Sequence, residues 1–343
     1  MLLSVITVIT EEHSLQPLLL AGGGVNYNLL LVLQCVTVCS VDLFVLISGY
    51  FSSMTQRRTL GKPLDLLVQS VVFVIISYFA KVLTSDTPFS ASHFFELFIP
   101  ANYFVMLFVT LYMVSPYINI ALKQLSEKSP ENIKRFIVVV LCLFSIGPML
   151  TEFMEHIVGH QIIGFNTIGR LGSQSGYNIV NFILLYCTGA AIRYMKLDTK
   201  ISKKTACLIS IGCVIAIYLM YQLCICPSLG HIAWHYDNLF VILLAGSLFI
   251  LFKQFTFKSR TINSLAKAAF VCFLIHSKIL PYLQINNFVN RSAYILLLHI
   301  VASLIAIYAF SWVVWRVYTW VTKWVFKRLD NVEIPLIAQG PVD

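Results

Sequence analysis

Nine long apolar runs decide what this chain can fold into. They lie near residues 27–51, 64–84, 99–122, 136–151, 178–195, 205–226, 237–252, 268–284 and 293–321. Most reach the roughly 20 residues that a helix needs to cross a hydrocarbon layer. They are continuous rather than alternating, so they read as helices and not as the strands of a membrane barrel. A soluble fold is excluded, because 58% of the residues are hydrophobic and only 11% charged, against about 25% charged in an ordinary globular domain. A shorter apolar run, residues 1–10, stops at Glu11-Glu12-His13 and lacks the basic start of a signal peptide. The expected fold class is therefore all-α: a polytopic membrane helical bundle of about ten transmembrane helices. The first is abbreviated, as if the recorded start lay inside it. A single domain is expected over 1–329, followed by a cytoplasmic tail, 330–343.

The net charge of +9 calls for no nucleic acid, because its distribution explains it. One alternating set of loops and helix ends carries Arg57, Arg58, Lys62, Lys123, Lys128, Lys134, Arg135, Arg193, Lys196, Lys200, Lys203 and Lys204. It continues with Lys253, Lys258, Arg260, Lys267, Arg316, Lys323, Lys327 and Arg328. The opposite set carries Lys81, Arg170, Lys278 and Arg291. Twenty basic residues against four is a strong positive-inside bias, and it puts both termini in the cytoplasm. Trp312, Trp315, Tyr318, Trp320 and Trp324 beside Lys323, Lys327 and Arg328 have the composition of an interfacial anchor.

The segment Val41–Phe51, VDLFVLISGYF, places Asp42 and Ser48-Gly49 inside an apolar run. A carboxylate there is costly to bury and normally faces a bundle interior or a wet cavity. It can also serve only to tie helices together. Asp42 and Ser48 are six residues apart, about 240° round an ideal helix, so they do not form a direct catalytic pair. Ser48 has no base at a local spacing that would make it a nucleophile.

This segment resembles a signature of the acyltransferase-3 family of bacterial integral-membrane O-acyltransferases, through Asp42, Phe44, Ser48, Gly49 and Tyr50. Asn102-Tyr103-Phe104 through Ser115-Pro116-Tyr117-Ile118-Asn119 is similar to the family's aromatic stretch with its Ser-Pro-x-x-Asn close. Phe273-Leu274-Ile275-His276 is similar to its late His-containing element. The resemblance spans essentially the whole chain. It implies transfer of an acyl group, usually acetyl, from a coenzyme A thioester to a hydroxyl of a glycan or lipid-linked sugar, in a bacterial cytoplasmic (inner) membrane.

That chemistry needs a base for the hydroxyl, donors for the developing oxyanion and a cytoplasmic basic site for the coenzyme's phosphates. The resemblance puts the base in the first helix, where His13 is the candidate. The Arg that the family carries eleven positions earlier is replaced by Leu2. Arg57, Arg58 and Lys62, directly after Ser48-Gly49, are the candidate acetyl-CoA phosphate ligands, or simply a positive-inside loop. Ser48 lines the same path. His276 either hydrogen-bonds within the bundle or positions a substrate.

No metal site is expected. His231 and His235 have an i, i+4 spacing but lack an evident third ligand beyond Asp237, and His156 and His160 fare no better. The nine cysteines lie mostly in apolar runs without a CxxC pair, as small buried hydrophobes do. The Gly-rich outward loop near 152–177 is either a substrate surface or a flexible connection. Expected partners are a glycan or lipid-linked sugar acceptor and membrane lipids. The rival classes are a glycan or lipid-linked precursor transporter, and an inactive relative that serves as a complex partner. A transporter usually shows repeats or paired broken helices, and neither is clear in this sequence.

Overall fold

The computed structural model describes residues 24–84, 88–100, 102–160, 162, 174–223, 232–256, 258–283 and 287–335. His13, the first apolar run, His231 and residues 161 and 163–173 of the Gly-rich loop lie outside these residues. Among the described residues the chain is helical, apart from one antiparallel bridge between Thr59 and Glu333.

The helices are α1 (Val25–Thr37), α2 (Ser40–Ser52), α3 (Gly61–Thr84), α4 (Ala91–Glu96), α5 (Tyr103–Lys128), α6 (Pro130–Leu141) and α7 (Gly147–Val158). They continue as α8 (Ile179–Tyr194), α9 (Leu197–Lys200), α10 (Lys203–Leu223), α11 (Leu239–Lys253), α12 (Arg260–Lys267), α13 (Ala269–Ile279) and α14 (Ala293–Leu329). Six stretches are long and apolar enough to cross a membrane: Val25–Ser52, Gly61–Leu83, Tyr103–Lys128, Glu131–Glu155, Lys203–Leu223 and Ala293–Leu329. A seventh, α12 with α13, meets the same test as a pair bent by 59°. The runs at 178–195 and 237–252 become the shorter apolar helices α8 and α11. The chain is thus a multi-pass helical membrane protein, with six candidate spanning helices among the described residues, or seven if the bent pair is one span.

Several boundaries follow from local chemistry. Ser129 caps α6 by accepting from Glu131 N–H, with Pro130 at the first helical position. Asn178 and Asn238 cap α8 and α11 in the same way. Between α6 and α7 the backbone widens into a π-helical turn, Cys142–Ile146, a feature that re-aims side chains.

The chain divides into two compact units. The first comprises the described residues up to Gln56 and those of Tyr117–Lys258; the second comprises Arg57–Pro116 and the residues from Ser259 on. In the first unit α2 packs on α8 and α11, and α10 packs on α11. The α2–α8 crossing is unusually close. A Cβ on Gly49 would land on the carbonyl oxygen of Tyr186, and one on Gly189 on the carbonyl oxygen of Leu46. Small residues at such a crossing let two backbones meet, the usual basis of helix association where lipid removes the hydrophobic drive. Ser210 and Ser247 add a hydrogen bond of 2.8 Å between α10 and α11. In the second unit Phe73, Val271, Ile275 and Tyr318 join α3, α13 and α14 in one apolar core. There the Tyr318 hydroxyl donates to Asp65 at 2.7 Å.

Gly49→Ala and Gly189→Ala should each lower thermal stability in detergent, by about 1–3 kcal/mol for overpacking. Gly212→Ala, where an added Cβ meets nothing within 4 Å, should not. Since Ala normally favours a helix over Gly by about 1 kcal/mol, a loss at Gly49 and Gly189 alone identifies the crossing as its cause.

Candidate functional site

The interior of the first unit holds a polar cluster inside otherwise apolar helices. Asp42, in the first turn of α2, is 0% exposed. Among the described residues neither of its carboxylate oxygens has a hydrogen-bond partner, and the same holds for Oδ2 of Asp237 and Oδ1 of Asn181. Asp42 is therefore not a hydrogen-bonding tie between described helices. Buried acceptors left over in a native bundle mark a place where something else is handled.

Asp237 belongs to the short segment that leads into α11, and its surroundings hold it firmly. Ser145, 0% exposed in the π-helical turn, donates its hydroxyl to the Asp237 carbonyl at 2.6 Å. Tyr236 N–H donates to the Ser175 carbonyl at 2.9 Å. Gly176, at φ +86°, approaches so closely that a Cβ there would crowd the Asp237 nitrogen. Trp234 stacks on Tyr221 of α10 with centroids 4.6 Å apart. Next to these, His235 Nδ1 and Glu152 Oε1 of α7 are 2.9 Å apart, both side chains 18% exposed. Burial, then the charge of Glu152, pushes the Asp237 carboxyl up to about 7, with His235 opposing. Burial works against the His235 imidazolium, but the Glu152 hydrogen bond and the Glu152 and Asp237 charges outweigh it and raise its pKa.

The signature around Ser48 has mostly packing contacts. Ser48 Oγ donates to the Phe44 carbonyl of its own helix at 3.1 Å. Tyr50 donates to Asp198 at 2.7 Å, and Gly49 forms the crossing with α8. Asn119 Nδ2 donates to the Ser52 and Thr55 carbonyls, both at 2.8 Å, while its Oδ1 accepts from Tyr186 at 2.8 Å. Arg193 adds bonds to the Tyr50 and Phe51 carbonyls. The end of α2 thus has its orphan carbonyls satisfied by side chains from other helices.

In the second unit the basic loop separates into distinct roles. Arg58 is 3% exposed. Its Nε and Nη2 donate to Ser115 Oγ at 3.1 and 2.7 Å, and its guanidinium lies over the Tyr112 ring. Arg57 has 77% of its side chain exposed and pairs loosely with Glu333 at 3.5 Å. Lys62 Nζ sits 5.7 Å from the centre of the Tyr112 ring. Residues of the tail return to this loop, with Leu60 N–H on the Val332 carbonyl and Ile334 N–H on the Arg58 carbonyl. His276 is buried with Nδ1 3.1 Å from the Cys272 carbonyl of its own helix.

Of the residues picked from sequence, the structure thus puts Arg58 and Lys62 against Tyr112, while Arg57 turns to Glu333. Sequence reasoning missed the His235–Glu152 pair, whose members are 83 residues apart. It considered His235 only for metal binding. Among the described residues no group of three or more His, Cys, Asp or Glu side chains could hold a metal ion.

A multi-pass helical bundle with buried acids, a His–carboxylate pair and a basic loop has the parts of a membrane enzyme that acts on polar substrates. The chain belongs to the acyltransferase-3 family: the family's model, described as an acyltransferase domain, matches residues 13–316. It is a membrane acyltransferase. No curated protein and no solved structure matches it at a significant level.

Asn119→Ala should remove three hydrogen bonds, to the Ser52 and Thr55 carbonyls and from the Tyr186 hydroxyl. At about 1–3 kcal/mol for each group left unsatisfied, the variant should give little folded protein by size-exclusion chromatography. Tyr186→Phe, which keeps both Asn119 bonds to the carbonyls and removes the Tyr186–Asn119 bond, should cost about 1 kcal/mol and remain foldable.

Proposed function

We propose that the protein is an O-acetyltransferase of the bacterial inner membrane. It moves an acetyl group from cytoplasmic acetyl-CoA to a hydroxyl of a surface or exported polysaccharide, or of a lipid-linked sugar. The proposed topology has ten spans, both termini in the cytoplasm, one catalytic domain over 1–329 and a short tail, 330–343.

The observation that carries this reading, within an acyltransferase family, is the loop at Arg57–Lys62. Arg57 is exposed and, among the described residues, pairs with a surface carboxylate, an exchange that a phosphate can win because it offers bidentate, doubly charged acceptors. Lys62 supplies a second cation. Arg58 supports the loop from below by holding Ser115. Ser48, near the end of α2, is a further candidate contact of the coenzyme, and His276 has an accessory role.

In the reaction the acceptor hydroxyl loses its proton to a base, and its oxygen forms a bond to the thioester carbon. The carbon–sulfur bond breaks, and the thiolate leaves with the electron pair and takes up a proton. The family resemblance makes His13 the base.

A transporter of glycans or lipid-linked precursors would draw on the same buried acids, Asp42 and Asp237, and an inactive family member would keep only the fold. Binding and turnover of acetyl-CoA by the purified protein separate the three.

Arg57→Ala and Lys62→Ala should each weaken acetyl-CoA binding about tenfold, or about 1.4 kcal/mol, measured by calorimetry. The loss should shrink at high salt. Arg58→Ala should instead reduce the yield of folded protein. An acetyl-CoA affinity indifferent to all three substitutions would remove this loop from the donor site. Undiminished turnover in His13→Ala would remove His13 from the mechanism.

A further inference from the structure

We propose that the groove between α3, α13 and α14 is a binding site for one anionic phospholipid, with a hydrocarbon chain along its floor and the lipid phosphate on Lys278. The site lies wholly within the second unit and stands independently of the acyl-transfer reading above.

The groove has a volume of about 770 Å³. Its walls are hydrocarbon: Val72 and Ile76 of α3, Ile275 and Ile279 of α13, and Val313 and Val317 of α14. Phe73 and Tyr318, from the apolar core of the unit, also line it, so it is a concave site and not a flat helix face. Along α14 it runs from Phe310 to Thr322, a rise of about 18 Å. That is close to half of the roughly 30 Å hydrocarbon thickness of a bilayer, the depth that one lipid chain occupies in one leaflet.

The polar groups of the wall are already engaged. Ser77 Oγ donates to the Phe73 carbonyl at 2.7 Å, the Tyr318 hydroxyl to Asp65 at 2.7 Å, and Thr322 Oγ1 to the Tyr318 carbonyl at 2.8 Å. A hydrocarbon chain therefore leaves nothing in the wall unsatisfied. A sugar lying there would leave its own hydroxyls without partners, at a cost in free energy for each.

Lys278 is the exception. It is the one charged residue of the lining. It is exposed, and it has no ion pair or hydrogen bond among the described residues. A cation in an apolar membrane setting is costly unless it reaches an anion or water. No acid lines the groove, so the anion comes with the occupant. A zwitterionic lipid brings its own ammonium beside the lysine and offsets the attraction, whereas a net-negative headgroup does not. Tyr282, four residues on and 71% exposed, has a hydroxyl that can donate to the same phosphate and a ring suited to the headgroup level.

The test uses the full chain purified in detergent and offered equal amounts of phosphatidylglycerol and phosphatidylcholine, with retained lipid counted by native mass spectrometry. Wild-type protein should retain one phosphatidylglycerol with about fivefold preference, or about 1 kcal/mol. Lys278→Gln should abolish the preference and Lys278→Arg should keep it. Val317→Trp, which fills the groove from a position that is 58% exposed, should lower retention of both lipids. Inorganic phosphate should displace neither, since it has no chain. Equal retention of the two lipids by wild-type protein would mean ordinary surface lipid and overturns the proposal. So does a preference that survives Lys278→Gln, unchanged retention in Val317→Trp, or displacement by phosphate alone. Stronger retention of a polyprenyl phosphate than of phosphatidylglycerol overturns the assignment to a phospholipid. If Lys278→Gln fails to fold, the wild-type comparison and Val317→Trp still decide. Acetyl-CoA takes no part in these measurements, so failure of the acyl-transfer reading would leave their outcome unchanged.

Discussion

The close crossing of α2 and α8 is the contact on which the first unit depends. Lipid offers helices no hydrophobic reason to associate, so association has to come from close packing and from hydrogen bonds between helices. Gly49 and Gly189 supply the first by letting each backbone touch the other. Asn119, Tyr186 and Arg193 supply the second at the end of α2, where carbonyls would otherwise lack partners. With α2 fixed in this way, Asp42 is held at a defined depth in the bundle.

The polar centre results from a departure from regular helix. The stretch before α11 is irregular and buried, a backbone form that a membrane protein tolerates only where protein surrounds it. Ser145 in the π-helical turn and the Ser175–Gly176 turn satisfy its backbone groups. The arrangement presents Asp237 and His235 to a protein interior instead of to lipid, and Glu152 from α7 completes the imidazole's setting. The π-helical turn, the Ser175–Gly176 turn and the segment before α11 thus all contribute to the polar cluster.

Part of the candidate site was legible in the sequence because its signals were local. Asp42 stood out as an acid in an apolar run, and Arg57, Arg58 and Lys62 as cations grouped on one loop. Their separate roles were not legible. Whether an arginine is exposed, like Arg57, or locked on Ser115, like Arg58, depends on what α5 places opposite it. Ser48 suggested a coenzyme contact, and the Ser-Pro-x-x-Asn close a family motif without an assigned role. Gly49, Ser115 and Asn119 instead make packing and hydrogen bonds between elements far apart in sequence. The His235–Glu152 pair carried no sequence signal, since nothing in local spacing links residues 83 positions apart.

What the sequence determined by itself was the solvent and the class of fold: long uncharged runs have to be helices in a bilayer, because only a helix satisfies its own backbone there. The sidedness bias of the basic residues and the family motifs were likewise written in local composition. Only the tertiary structure decided which of these polar residues meet. Helix crossings, a π-helical turn and one buried irregular segment bring together groups from distant parts of the chain. Those meetings depend on where a glycine lets two backbones touch, which composition and periodicity do not encode.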